Sequence, residues 1–217
     1  MTPSKIASVA AAALMTLLAA DVDHGAAAST AEAAVRGVDQ ILDDAGRRFR
    51  KAERFPDGKA KLALYREVET LASQAIDLDP DIAQAHFLYF AAKGRRLLDA
   101  GLMGSMFELS ALRASLDRAL ELDPDHAHAL ATLGGILLDL PGFLGGDEEQ
   151  ALVHLARAVE LNPTGPGTRL SYAKALIRSG NPGAAREHLT LAAHYAAVTR
   201  RGDVLREADQ LLTENYD

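Results

Sequence analysis

The side chains that could do chemistry in this sequence are seven histidines and the triplet Gly145-Gly146-Asp147; there is no cysteine. His126 and His128 stand two apart, so on a helix they point about 200° from each other, and no carboxylate one turn further on completes a ligand set. His188 and His194 are six apart and about 120° off one another on a helix. A helix opening after Gly145-Gly146 would aim backbone N–H groups at an anion. Asp147 supplies its own oxygen at that place, which is what a helix cap needs. No H-E-x-x-H, G-x-S-x-G or P-loop is present, and without cysteine there is no thiolate nucleophile, thiolate metal site or disulfide. The pattern predicts no catalytic residue, no metal and no cofactor. A net charge of −7 and the lack of a long basic run argue against nucleic acid, whose partners need a positive footprint to displace counterions. Arg47-Arg48, Arg95-Arg96 and Arg200-Arg201 read as isolated pairs on solvated faces.

What the sequence specifies is helices. Val35, Val38, Leu42, Ala45, Phe49 and Ala52 recur at helical steps, an apolar stripe along a helix that starts after Ser29 or Thr30 and ends near Arg54. Phe55-Pro56-Asp57-Gly58 is a turn. Leu62, Tyr65, Val68, Ala72, Ala75 and Ile76 mark a second helix. It stops at Asp79-Pro80, because the residue before a proline is pushed out of the α region. Further helices are expected over 82–99, 105–122, 126–140 and 147–161, with Asp81, Asp125 and Asp147 as caps and breaks at Gly101–Gly104 and Pro141–Gly146. Three more helices reach Ser179, Thr199 and Asn215. No alternating β-branched run occurs, so no strand is expected.

One phrase returns three times: A-I-D-L-D-P (Ala75 to Pro80), A-L-E-L-D-P (Ala119 to Pro124) and A-V-E-L-N-P (Ala158 to Pro163). It resembles the end of the tetratricopeptide repeat, a helix–turn–helix unit of about 34 residues. Leu130, Leu133, Gly134 and Leu137 match the large–large–small–large positions of the family's helix A, and Ala151, Leu155 and Ala158 match helix B. A later copy carries Arg169, Tyr172, Ala173 and Leu176, then Ala185, Leu189 and Ala192, with Arg169 where a large apolar residue is usual. An earlier copy carries His86, Tyr89, Phe90 and Lys93, then Leu112, Leu116 and Ala119, and departs from the pattern at Phe90 and Lys93. The resemblance implies an all-α, right-handed solenoid of about four helical hairpins plus a C-terminal capping helix. In that frame residues 29–80 form the opening hairpin, 81–199 three repeat units and 200–217 the cap.

The repeat prolines are 44 and then 39 residues apart, so the first two units carry insertions of about ten and five residues over the usual length. Both are expected in the turn between the unit's helices, where Leu97–Gly104 aligns with Leu137–Gly145. Two readings of the inserted Leu102, Met103, Phe143 and Leu144 stay open. They pack back over the solenoid's edge, or they form the lip of an apolar groove.

Helix A lines the concave, ligand-binding side of such a solenoid. The resemblance places Gln84, Phe87, Ala91 and Gly94 there, then His128, Ala131, Gly135 and Leu138, then Gly167, Leu170, Lys174 and Ile177. This set is mostly small or apolar and implies a groove for an apolar helix, an apolar peptide or an amphiphile. The alternative is that the chain's own first helices fill it, through Val38, Leu42 and Phe49. The stretch from Leu140 to Pro163 (L-P-G-F-L-G-G-D-E-E-Q-A-L-V-H-L-A-R-A-V-E-L-N-P) is also similar to the accessory T component of TRAP transporters, which take up organic acids with a periplasmic binding protein. That resemblance implies a protein partner, of which a periplasmic binding protein is the sharpest case.

Met1–Lys5, the uncharged run Ile6–Ala20 and Ala26–Ala28 have the order of a secretory signal, with cleavage expected after Ala28 and alternatively after Ala20. The run is shorter than the ~20 residues that span a bilayer, so no transmembrane span is expected in the mature chain; the other reading is a first helix that stays in the fold. The expected function is a non-enzymatic scaffold, periplasmic or secreted, or cytoplasmic if the segment is no signal. A carrier of an apolar or organic-acid ligand in the concave groove is the alternative.

Overall fold

The computed structural model describes the backbone of residues 24–56, 58–99 and 102–216 and the side chains of 37–56, 58–98 and 112–216. The proposed signal segment lies largely outside them, and so do the side chains of Leu102 and Met103. Among the described residues there are nine α-helices, a single 3-10 turn and no strand. The helices are α1 (His24–Ala52), α2 (Lys59–Leu78), α3 (Ala83–Asp99), α4 (Leu102–Leu122), α5 (Ala127–Asp139), α6 (Glu148–Leu161), α7 (Pro166–Arg178), α8 (Pro182–Thr199) and α9 (Gly202–Tyr216). Consecutive helices pair as hairpins α1/α2, α3/α4, α5/α6 and α7/α8, and α9 packs on α8.

The second helix of each hairpin holds the core. Leu116, Leu155 and Leu189 are completely buried, as are Ala119, Ala158 and Ala192 one turn or less beyond them. The alanines are small because a neighbouring helix crosses there. Gly134 shows how close the approach is: a Cβ on it would lie 2.6 Å from Leu155 Cγ and 3.1 Å from the Ala151 carbonyl oxygen.

The first repeat unit sits in a different register from the one its proline implies. Leu88 and Ala92 are buried, whereas His86 and Phe90 are only partly so. Ala92 therefore supplies the small contact position, and the irregularity expected at Phe90 disappears. His86 instead makes a 2.8 Å hydrogen bond from its Nε2 to the Pro80 carbonyl. The first insertion also departs from expectation. Leu102–Gly104 belongs to α4, and α3 and α4 run 17 and 21 residues against 13 and 14 for α5 and α6. The extra residues lengthen helices, because leucine and methionine favour helix and no proline interrupts them. In the second unit Pro141 does interrupt, with Leu140 before it held extended at φ −80° and ψ 141°.

Capping is split between expected and unexpected residues. Asp147 accepts the Gln150 N–H at 3.0 Å, as expected. Helix α5 is capped not by Asp125 but by His126, whose Nδ1 accepts the Ala129 N–H at 3.2 Å. Asp125 pairs with Arg157 at 2.9 Å, and Asp81, also expected to cap, pairs with Arg118 at 2.6 Å. The two Asp-Pro-Asp turns are built alike. The first aspartate accepts the N–H of the second, at 3.0 Å in Asp79–Asp81 and 3.1 Å in Asp123–Asp125. The second aspartate then reaches the arginine of its own unit's other helix. In the last unit Thr164 and Leu191 take these places, so arginine and aspartate are replaced together.

Arg169, at a position where the repeat uses an apolar side chain, is 8% exposed. Its Nε donates to the Pro163 carbonyl at 2.6 Å, its Nη1 to His188 Nδ1 at 3.0 Å, and its guanidinium lies 5.9 Å from the Tyr195 ring centre. The flat, aromatic-facing cation substitutes for a hydrophobe because every direction it presents has a partner.

Candidate partner-binding surface

The eight residues between α5 and α6 form a stiff, hydrogen-bonded turn. Pro141 starts it and a 3-10 turn covers Gly142–Leu144. The Pro141 carbonyl accepts both Leu144 N–H at 2.9 Å and Gly146 N–H at 3.1 Å, and the Asp147 N–H returns to the Leu137 carbonyl at 2.9 Å. Gly145 has φ +92°, which an L side chain rarely adopts. At Gly146 a Cβ would fall 1.8 Å from the Leu140 carbonyl oxygen, so only glycine fits. Arg178, from the next unit, donates to the Leu138 carbonyl and lies 3.5 Å from Asp139.

This turn presents apolar side chains to water. Phe143 is 87% exposed and Leu144 59%, with Leu140 beside them at 38%. Neither Phe143 nor Leu144 packs back onto the solenoid. Asp139, Asp147, Glu148 and Glu149, which flank the turn in sequence, are exposed too. A rigid apolar tip has the layout of a binding anchor. A fixed aromatic loses little entropy on docking, and a contiguous exposed apolar patch marks an interaction site more often than a lone side chain does.

The concave candidates are placed differently. Phe87, Leu138 and Leu170 are buried. Phe49 on α1 lies 6.5 Å ring to ring from Phe87, so the chain's own first helix covers that position. Ala91 and Ile177 are half-buried against the cores beside them. Ala131 and Gly135 are half-buried, and the space beyond Gly135 is open. Lys174 Nζ is held by Glu207 of α9 at 3.0 Å. It also stands three residues after Ser171, the spacing of a Ser–Lys nucleophile pair, but its Nζ is engaged by Glu207. Leu140 and Arg178, the flank and the buttress of the exposed turn, were not singled out in the sequence; the first reads as a helix end and the second needs the neighbouring unit.

His128 is exposed, with its ring 5.7 Å from Phe87 and 6.3 Å from His126. His126 is buried, and its Nε2 donates to Gln84 Oε1 at 2.9 Å while Nδ1 serves as the α5 cap. Burial holds His126 below its usual range, and the neighbouring His128 adds to this. Burial lowers His128 and His188 as well, with Arg169 reinforcing the effect on His188. Below about pH 6.5 the unfolded chain takes up protons that the folded rings refuse, so stability falls as pH drops through that point and is unaffected above it. Thermal melts at pH 7.5 and 5.5 are expected to show a lower melting temperature at 5.5. His126→Ser, which retains a capping oxygen, is expected to shrink the difference; an equal drop in both proteins would contradict the role given to His126.

Among the described residues no group of three or more histidines, aspartates or glutamates is placed to hold a metal ion, and no helix is long and apolar enough to cross a membrane. The fold is a stack of helical hairpins closed by a single helix, the class of α-helical repeat solenoids. Residues 143–201 match the family model of the tetratricopeptide repeat. The match covers 59 of the chain's 217 residues, the second half of the stack. Solved structures similar to it include the crystal structure of the MamA protein, at 16% identity, covering 79% of this chain and 80% of that one with a TM-score of 0.43. Another is TTC0263, a thermophilic tetratricopeptide-repeat protein of Thermus thermophilus, at 19% identity, 71% and 84% coverage and a TM-score of 0.42. Comparison with curated proteins gives no match.

Proposed function

We propose that this chain is a non-enzymatic protein-interaction scaffold and that its partner docks on the Pro141–Gly146 turn, with Phe143 as the anchor. One observation carries the reading: Phe143 is 87% exposed on a turn whose backbone is fixed by hydrogen bonds and by a glycine that admits no side chain. Leaving a large aromatic in water has no folding benefit, so its retention on a rigid support fits a surface that becomes buried on binding. The exposed carboxylates that flank the turn in sequence, Asp139 and Asp147 to Glu149, fit a partner whose apolar pocket is bordered by lysine or arginine. A photo-crosslinking benzoylphenylalanine at position 143, in cells, is expected to give a discrete protein adduct. The same probe at the exposed Thr190 should not give that adduct. Identical adducts from both sites, or none from 143, would remove the turn as the docking surface.

The finer reading is that this scaffold is exported and serves a periplasmic solute-uptake system. The likeness of Leu140–Pro163 to the transporter accessory component supports it, and so does the signal-like order of residues 1–28. Sequencing the amino terminus of the protein from the exported fraction tests export, and a start at Ser29 is the expected result. The carrier alternative needs an open concave face. The burial of Phe87, Leu138 and Leu170 favours the scaffold.

A further inference from the structure

In a repeat solenoid each unit touches only its neighbours, so a contact between the first hairpin and the last turn needs its own explanation. Glu53, just past α1, makes one. Tyr65 of α2 donates its hydroxyl to Glu53 Oε1 at 3.1 Å, and Arg95 of α3 lies 3.9 Å from the same oxygen. The other oxygen, Oε2, pairs with Nη1 of Arg201, which stands 148 residues later between α8 and α9. The two side chains are 15% and 18% exposed, the most shielded ion pair described in the molecule. Arg201 is held on its far side by Asp203, with two hydrogen bonds of 3.2 Å. Its backbone is aimed by Arg200, which ends α8 with φ 59°, and by its own N–H to the Ala196 carbonyl at 2.8 Å. On the other side Phe49, one turn before Glu53, is fixed between Tyr65 and Phe87. Both halves of the contact are thus mounted on rigid supports, and the Glu53–Arg201 ion pair joins them.

We propose that Glu53 and Arg201 form a latch that closes the solenoid end to end and shuts its concave side between the first hairpin and the last turn. The desolvation cost of a shielded ion pair nearly offsets its attraction, so such a latch opens and closes reversibly where an apolar seam would not. The purpose of shutting the concave side rests on the scaffold reading; the latch itself does not, and it lies on different turns from Phe143.

Amide hydrogen exchange of the full chain, read by mass spectrometry, tests it. Glu53→Gln keeps the size of the side chain and an acceptor for Tyr65 but removes the charge that holds Arg201. Exchange in residues 200–205 is expected to rise about tenfold, equivalent to about 1.4 kcal/mol, while α5 and α6 keep wild-type rates. Because coupling is reciprocal, Arg201→Gln should raise exchange in residues 50–56 by a similar factor. Arg201→Lys, which keeps a cation, should restore most of the protection. Faster exchange confined to the neighbourhood of the substituted residue would overturn the latch. So would a uniform rise through every helix, which would make Glu53 a general stabiliser of the fold. A crosslink at Phe143 that failed would leave this result standing.

Discussion

Leu155→Ala is expected to lower stability by about 2–5 kcal/mol, a fall in melting temperature on the order of 10 °C for a chain of this size. Leu155 is completely buried in α6 and faces Gly134 of α5. The truncation removes its contacts and leaves a cavity that helices pinned by their neighbours cannot close. Gly134→Ala should also destabilise, by about 1–3 kcal/mol, because the added Cβ meets Leu155 Cγ at 2.6 Å. The double substitution is the sharper test. With Leu155 shortened, most of the clash at position 134 disappears and the new methyl occupies part of the cavity. The pair should therefore cost less than the sum of its parts by about 0.5–3 kcal/mol. Strict additivity would mean that Gly134 and Leu155 do not face one another, and the repeat register would be wrong.

The second large effect is on binding. Phe143→Ala is expected to weaken the partner by about 2 kcal/mol or more, the scale of a hot-spot aromatic and roughly 30-fold in affinity. The same substitution should leave the melting temperature unchanged, because Phe143 gives the folded chain almost no buried area. This split between affinity and stability separates an anchor from a structural residue: Leu155→Ala should do the reverse. Gly146→Ala lies between them. Its methyl would fall on the Leu140 carbonyl, so the turn must rebuild and the presentation of Phe143 is lost with it.

The parts of the fold legible in the sequence are those fixed by local spacing. Leu155 and Ala158, or Leu189 and Ala192, are read off as buried because two residue types at helical spacing satisfy one packing requirement in every copy. The first unit misleads because its proline is the only anchor for the register. Leu88 and Ala92 lie two residues further along than the family positions counted from Pro80, although α3 starts three residues after its proline, as α5 and α7 do. Leu102–Gly104 looks like a break because two glycines flank apolar residues, yet without a proline these residues already belong to α4. Capping by His126 rather than Asp125 turns on which neighbour has an arginine to answer it, and Arg157 is 32 residues away.

The candidate site was half legible. Phe143 and Leu144 stand out as apolar residues inside a glycine-rich insertion, but whether they fold back depends on the shape of the turn. The 1.8 Å approach at Gly146 and the buttress from Arg178 settle that shape, and both are tertiary facts. Glu53 and Arg201 are invisible in the sequence. One is a single acid near a turn and the other half of an Arg-Arg pair that reads as solvated, with no local pattern to join positions 148 residues apart. Arg169 looked like a defect in the repeat and is instead satisfied by Pro163, His188 and Tyr195.

The most direct measurement is the dissociation constant of the partner captured through position 143, determined by calorimetry for the wild-type chain and for Phe143→Ala. A rise of about 30-fold with an unchanged melting temperature is the predicted result. An unchanged dissociation constant would contradict the assignment of the exposed turn as the surface through which this solenoid binds.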